Sequence, residues 1–154
     1  MTKMTMPEIR SLLPHSGPMV LLDRVVSADG DSLCAEVRIR SDGMFYAGGG
    51  VGAWVGIEYM AQTIGAYAGY TARQRGEPVR IGLLLGTRRY ECSRPSFPLG
   101  SVLKVYVRRV LQSENGLASF ECRIDDRQGQ LATANLTVFQ PADENEFPEG
   151  VINE

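Results

Sequence analysis

One long helical segment among strands is the feature that most constrains the fold of this chain. From Ala53 to about Gln74 small and apolar residues recur at helical spacing, and the run closes on Arg75 and Gly76. A glycine-rich loop, Ser41–Gly52, precedes it. The chain has 154 residues, enough for about one domain, so its strands must all be arranged around this single helix.

Six segments have the residue pattern or the turn boundaries of strands, two before the helix and four after it. They are Val20–Ala28, Leu33–Arg40, Ile81–Cys92, Val102–Leu111, Leu117–Ile124 and Gln130–Phe139. Because one helix cannot cover both faces of such a sheet, the simplest arrangement is an antiparallel sheet curled round the helix. We therefore predict an α+β chain with the hot-dog fold, a six-stranded antiparallel sheet wrapped around one long central helix. The sheet edges favour a dimer or a multiple of one.

Charge and composition exclude several functional classes. Lys plus Arg total 16 and Asp plus Glu 18, and the resulting net charge of −2 provides no basic surface for nucleic acid. The last fourteen residues hold five acids and no base, so we predict one domain over residues 1–140 and an acidic tail over 141–154. Three widely spaced cysteines without a neighbouring Cys or His predict no metal site, and no cofactor is indicated.

The stretch Val51–Tyr70 is long enough to be compared with a membrane span. It contains Glu58 and Gln62, however, and its many glycines and alanines make it only weakly hydrophobic. The first ten residues have no apolar core of the kind that a signal peptide needs, and they include Glu8. We expect a buried helix in a cytoplasmic protein that has no membrane span.

Two polar residues interrupt the apolar helix. Glu58 lies about a turn and a half from its start, and Gln62 follows one turn later on the same face. A carboxylate buried there must be paired, hydrogen-bonded or protonated, and a protonated carboxyl suits a general acid. Alternatively, Glu58 faces a groove or only orients the helix. Gln62 could orient Glu58 or satisfy a neighbouring carbonyl.

The chain has one histidine, His15, in a turn rich in proline and glycine. Its imidazole is the obvious base for removing a weakly acidic proton next to a carbonyl, although it could equally bond backbone carbonyls of that turn. The glycines between Gly48 and Gly52 precede the helix, and their amides and the positive helix end could hold a carbonyl oxygen as it gains charge. Flexibility alone would also explain these glycines.

Three short motifs together carry a family resemblance. In order and spacing, Leu12–His15 (LLPH), Pro18–Val25 (PMVLLDRV) and Ile57–Gln62 (IEYMAQ) resemble the hot-dog 3-hydroxyacyl-[acyl-carrier-protein] dehydratases. The similarity is greatest to the branch associated with aryl polyene pigment biosynthesis in bacteria. It covers about Pro7–Gln140, which is nearly the whole of the predicted domain.

The resemblance implies removal of water from a 3-hydroxyacyl thioester, carried on the phosphopantetheine arm of an acyl carrier protein, to give a trans-2-enoyl thioester. A base must take the C2 proton and an acid must protonate the departing C3 hydroxyl, and we assign His15 and Glu58 to these two roles because they fit this chemistry. Amide donors must stabilise the enolate-like oxygen. The implied substrate-binding residues are Gly52, Ala53, Trp54 and Gln62.

The chain departs from the housekeeping fatty-acid dehydratases at one important position. They carry their catalytic histidine in a His-Phe-Pro-Gly turn, and the matching residue here is Met44. Either His15 has taken over as base, the reading we favour, or this subunit is inactive alone. Hot-dog dimers form their groove between subunits, so a homodimer or a heteromer with a second hot-dog subunit is expected.

Two other functions remain open at this point. The first is a hot-dog thioesterase that uses Glu58 as base or nucleophile to hydrolyse an acyl thioester. The second is a non-catalytic hot-dog subunit that binds an acyl carrier protein or completes the groove of a partner subunit, and the absence of histidine at Met44 motivates it.

Overall fold

The structure is a computed structural model that describes residues 6–13, 17–78 and 82–140. Its strands, in chain order, are β1 Arg24–Ala28, β2 Ser32–Arg38, β3 Tyr46–Ala47, β4 Gly50–Gly52, β5 Leu83–Cys92, β6 Ser96–Pro98, β7 Val102–Gln112, β8 Leu117–Asp126 and β9 Gly129–Phe139. Six of them form an antiparallel sheet in the order β1-β2-β7-β8-β9-β5. The other three form a small antiparallel sheet in the order β3-β4-β6.

One long helix, α1 Gly56–Gln74, packs against the large sheet and follows directly on a 3-10 turn over Ala53–Val55. The 3-10 turn and α1 together span the helical run predicted from the sequence. The six strands of the large sheet and the helix that packs against it all belong to one chain. The predicted α+β hot-dog fold is confirmed.

Strand alternation explains why the sheet holds the helix. In β2, Leu33, Ala35 and Val37 are all buried, and so are alternate residues along β7 from Leu103 to Val107. These side chains meet the apolar side of α1, where Met60 is fully buried. The core therefore lies between one face of the sheet and one helix.

The other face of β2 carries a buried carboxylate. Glu36 is 3% exposed because it lies beneath three basic side chains, Arg24, Arg38 and Lys104, whose nitrogens are 3.0, 3.1 and 3.5 Å from its oxygens. The hydrogen bond from Arg24 is the main reason that the pKa of Glu36 lies below its ordinary value. These contacts join β1, β2 and β7 on the face that does not contact α1.

The close packing of α1 on the N-terminal segment depends on one glycine. A Cβ at Gly69 would lie 2.9 Å from the carbonyl carbon of Leu12 and 3.0 Å from its Cα. Leu12 and Leu13 are both buried there. Because only a residue without a side chain permits this approach, Gly69 determines how closely the segment before residue 14 packs on the helix.

Two predicted boundaries differ from the structure. The strand expected over Val20–Ala28 begins only at Arg24, because a side chain of α1 hydrogen-bonds the backbone of Met19 and Leu21. The predicted glycine-rich loop Ser41–Gly52 contains the short strands β3 and β4, which pair with each other and, through β4, with β6. Ile81 and residues 141–154, including the predicted acidic tail, lie outside the described residues.

Among the described helices, none combines the length and the hydropathy that crossing a bilayer requires. In the same part of the chain, no group of three or more His, Cys, Asp or Glu side chains is arranged to hold a metal ion. All three cysteines are free thiols, with Cys34 and Cys122 buried and Cys92 half-buried. Burial raises the pKa of Cys122 to about 12, so this thiol is not a nucleophile near neutral pH.

Candidate active site

Gln62 is the buried polar residue that organises the site. It is 2% exposed and uses both ends of its amide. Its Oε1 accepts a hydrogen bond from the Leu21 N–H at 2.9 Å, while its Nε2 donates to the Met19 carbonyl at 2.7 Å and to Oε1 of Glu58 at 3.2 Å. Gln62 therefore both orients Glu58 and satisfies a neighbouring carbonyl, the two alternatives that its position in the sequence left open.

Glu58 lies in a groove and is half-buried, whereas the sequence pattern suggested a carboxylate enclosed in the core. The difference arises because Glu58 is on the side of α1 that faces β5, the last strand of the sheet, where the sheet no longer covers the helix fully. The groove encloses about 220 Å³. Apart from Glu58 and Gln62, its lining is mostly apolar or small: Ala61, Ile64, Gly65, Ala68, Gly82, Leu83, Leu84, Val138 and Gln140.

The amides at the start of the helix are not equivalent. The Ala53 N–H donates to the Pro95 carbonyl at 2.9 Å, and Gly52 pairs with Ser96 in the β4–β6 ladder. The Trp54 N–H, by contrast, has no acceptor among the residues that the structure describes. Of the amides predicted to hold a substrate oxygen, that of Ala53 is already engaged and that of Trp54 is available.

Two aromatic residues lie exposed beside this amide. Trp54 is 67% exposed, and its ring covers Gly52 so closely that a Cβ there would be 2.5 Å from the indole nitrogen. Its ring meets that of Phe45 edge to face, with centroids 5.5 Å apart. Met44, the residue predicted from the sequence to stand in place of a family histidine, is also exposed and neighbours Phe45 in the chain.

Tyr90 belongs to this site although the sequence did not single it out. Its hydroxyl donates a hydrogen bond to the Ala53 carbonyl, and the ring is half-buried. Burial raises its pKa well above the usual range of a phenol, so the hydroxyl stays protonated. Tyr90 reaches Ala53 because of a bulge in β5 next to Arg89. Nothing in the run Arg88–Glu91 marks this bulge, since it contains no glycine.

His15 lies outside the described residues, so its distance from Glu58 is not a feature of this structure. The chain on both sides of it is held to α1. Leu12 packs against Gly69 before it, and after it Gln62 binds the backbone of Met19 and Leu21. The helix that carries Glu58 thus anchors the two segments that flank His15.

The sequence of the chain matches a family of known proteins. The ApeP-like family, described as ApeP dehydratase, matches residues 7–149. The chain belongs to the ApeP-like dehydratase family. The predicted resemblance and the predicted dehydratase activity are thereby confirmed, and the hot-dog architecture is that of the family.

Relatives and solved structures agree with this assignment. The chain is 28% identical over 138 residues to the 3-hydroxyacyl-[acyl-carrier-protein] dehydratase FabZ of Bartonella quintana, covering 86% of each. It is 29% identical over 155 residues to FabZ of Brucella melitensis biotype 2, covering 94% of this chain and 96% of the relative. A structure of the dehydratase heterocomplex ApeI:P from Xenorhabdus doucetiae superposes with a TM-score of 0.85 at 34% identity, over 91% of this chain and 94% of that one.

A more distant structure shows only the shared fold. The hypothetical thioesterase of Streptococcus pneumoniae, solved with coenzyme A, superposes with a TM-score of 0.61 at 13% identity. It covers 76% of this chain and 84% of that one. The hot-dog fold therefore serves both dehydratases and proteins named as thioesterases, and the residues of the site must distinguish them.

Proposed function

We propose that this ApeP-like protein dehydrates a 3-hydroxyacyl thioester carried on an acyl carrier protein, with Glu58 as the general acid and His15 as the base. The observation that carries the proposal is the Gln62 amide, which holds the Glu58 carboxyl and the segment following His15 at once. An acid and a base that act on neighbouring carbons must be held at a fixed distance and orientation to each other. The FabZ relatives are named for this reaction, and their resemblance supports the substrate class.

The reaction balances without a cofactor. His15 takes the proton from C2, the electron pair forms the C2–C3 double bond, and the C3–O bond breaks as Glu58 gives its proton to the leaving hydroxyl. Water and a trans-2-enoyl thioester result. Charge that develops on the thioester oxygen is stabilised by the Trp54 N–H, which has no acceptor in the described part of the chain.

The groove suits an acyl chain. Its walls are apolar on both sides of Glu58, with Ile64 and Ala68 from the helix and Leu83 and Leu84 from β5. The exposed Trp54 ring at the start of the helix offers a flat surface to a conjugated chain. These features support the aryl polyene branch, in which the growing acyl chain is flat and unsaturated.

We also propose that a second hot-dog subunit, identical or different, completes the groove along β5. This strand is the edge of the large sheet and exposes Leu84 and Leu85, which are 41% and 53% accessible. A long edge with exposed leucines is a surface that proteins normally cover. The structural relative from Xenorhabdus doucetiae is a heterocomplex, which supports a heteromer. An acyl carrier protein as substrate carrier makes the cytoplasm the expected compartment.

The test is dehydration of a 3-hydroxyacyl carrier-protein thioester, followed by mass spectrometry for the loss of one water. Wild type, His15→Ala and Glu58→Gln are compared with Glu114→Gln, an exposed acid in the turn between β7 and β8. We expect Glu114→Gln to retain full activity, and the other two variants to lose about a hundredfold or more. The protein is assayed alone and with any hot-dog subunit that copurifies with it.

The other outcomes identify the alternatives. Release of free thiol without an enoyl thioester would indicate a thioesterase. Turnover by a complex that is unchanged by Glu58→Gln would indicate a non-catalytic subunit, because the partner would then supply the acid. Loss of dehydration activity in Glu58→Gln, together with full activity in His15→Ala, would support Glu58 as the acid and exclude His15 as the base.

A further inference from the structure

The peptide unit between Ala53 and Trp54, at the start of the helix, has two hydrogen-bond donors on its carbonyl. The Ala53 carbonyl accepts one hydrogen bond from the Gly56 N–H, as the 3-10 turn requires, and a second from the Tyr90 hydroxyl. Tyr90 comes from β5, an edge strand of the six-stranded sheet, whereas β3 and β4, the strands directly before the helix, belong to the small sheet. A tertiary contact is therefore added to a carbonyl that already has its local donor.

Two backbone features of the chain make this contact possible. Between Arg88 and Glu91 the pairing of β5 with β9 shifts register, and Arg89 has a φ of 55°, the one non-glycine residue in the described ranges with a positive φ. Such a conformation is costly for a residue with a side chain, and it persists only where the surrounding structure holds it. The bulge redirects Tyr90 toward the helix.

The helix side is adapted to the same contact. A Cβ at Gly56 would collide with the Tyr90 hydroxyl and would lie 3.2 Å from Cδ1 of Ile124. Any other residue at position 56 would therefore push the phenol away from the Ala53 carbonyl. The missing side chain at Gly56 and the positive φ of Arg89 both permit the hydrogen bond from Tyr90 to the Ala53 carbonyl.

The planarity of the peptide bond connects this hydrogen bond to the reaction. The Ala53 carbonyl and the Trp54 N–H belong to one trans peptide unit, so they point in opposite directions within one plane. A donor that fixes the carbonyl also fixes the direction of the N–H. It further polarises the unit, which makes that N–H a stronger donor. The Trp54 N–H is the amide at the helix start that has no acceptor among the described residues.

We propose that Tyr90 is a positioning residue for the dehydration: by donating to the Ala53 carbonyl it orients and polarises the Trp54 N–H toward the thioester oxygen. This inference rests on the proposed function, because the direction of that N–H matters only if an oxygen gains charge there. Tyr90 does not touch the substrate itself. Its contribution is to the transition state, in which the oxygen carries more charge than in the bound substrate.

The test is Tyr90→Phe, which keeps the ring and removes the hydroxyl. Tyr106→Phe is the matched control, since Tyr106 lies on the outer face of the sheet with Arg123 over its ring, 4.2 Å from the centroid. Loss of an oxyanion donor costs about a hundredfold to a thousandfold in kcat, and a donor that is kept but loosened should cost about tenfold. We expect kcat to fall about tenfold in Tyr90→Phe, KM to stay within about twofold, and Tyr106→Phe to match wild type in both.

A spectroscopic measurement reports on the same peptide without substrate. Trp54 is the only tryptophan in the chain, so the intrinsic tryptophan fluorescence comes from the residue whose amide is at issue. We expect a lower fluorescence anisotropy in Tyr90→Phe than in wild type or Tyr106→Phe. The urea midpoints of the two variants should agree, because the Ala53 carbonyl keeps its Gly56 donor.

The outcomes separate this inference from the function on which it rests. If wild type and Glu58→Gln are equally inactive in dehydration, the proposed function fails and this inference fails with it. If Glu58→Gln is inactive but Tyr90→Phe keeps full kcat, the function stands and the role of Tyr90 is refuted. A fall in kcat that is matched by a rise in KM or a lower urea midpoint would also refute it, since the hydroxyl would then support binding or folding alone.

Discussion

Replacing Gln62 with leucine tests how strongly the helix holds the segment that leads into β1. Gln62 is 2% exposed and makes three hydrogen bonds, to Leu21, Met19 and Glu58. Leucine has a similar volume and none of these bonds, so no cavity is expected. The Leu21 N–H and the Met19 carbonyl would be left without their partner in a site that is largely closed to water.

The expected loss of unfolding free energy is estimated from the Leu21 N–H and the Met19 carbonyl, the two backbone groups that lose their partner. Each buried polar group left without a partner costs about 1–3 kcal/mol. Met19 is 52% exposed, so water can reach its carbonyl in part, and the buried leucine recovers some apolar energy. We therefore expect Gln62→Leu to lower the free energy of unfolding by about 2–3 kcal/mol, which for a domain of this size lowers the melting temperature by about 5–10 °C.

The assay is urea unfolding followed by circular dichroism at neutral pH, with Thr63→Val as the control. Thr63 is fully buried next to Gln62, but its hydroxyl donates at 2.7 Å only to the Tyr59 carbonyl in its own helix. That carbonyl keeps its helical N–H donor, so the control should lose less than about 1 kcal/mol. If Gln62→Leu is no less stable than Thr63→Val, Gln62 does not hold the two segments together.

Three further changes probe other parts of the fold. Gly69→Ala puts a methyl group 2.9 Å from the Leu12 carbonyl carbon. This clash should outweigh the gain in helix propensity, so urea unfolding should show a free energy of unfolding lower by about 1–2 kcal/mol. A variant more stable than wild type would contradict the close packing at Gly69. Arg89→Gly relieves a φ of 55° and should raise the free energy of unfolding by about 0.5–1 kcal/mol. Its control, Arg88→Gly, changes a residue without a positive φ and should lower the free energy of unfolding by a similar amount. Equal effects of the two substitutions would exclude backbone strain at Arg89. The pKa of Glu36 is lowered, so its ion pairs stabilise the fold above its ordinary pKa of 4.5 and are lost as the pH falls through the folded value. Glu36→Gln should therefore be less stable than wild type at pH 7, and the difference in unfolding free energy should narrow as the pH falls below 4.5. A difference that does not change with pH would refute the ion-pair contribution.

The local pattern of the sequence was sufficient for the architecture. One helical run among six strand segments leaves few ways to bury an apolar face, and the hot-dog arrangement is the simplest of them. The spacing of Glu58 and Gln62 also predicted that they share a helix face, and their side chains are hydrogen-bonded at 3.2 Å. Both results depend on periodicity, which is a property of neighbouring residues in the chain.

The details of the site were decided by contacts between residues far apart in sequence. The strand predicted from Val20 begins only at Arg24 because Gln62, more than forty residues away, takes the hydrogen bonds of the backbone before it. Tyr90 reaches the Ala53 carbonyl through a bulge in β5 that no glycine marks. Periodicity determines which face of an element is buried, but strand register and the partners of each backbone group depend on how the whole chain packs. The sequence alone therefore predicted the fold and the two polar residues of the helix, whereas only the tertiary structure determined which amide at the helix start has no acceptor among the described residues.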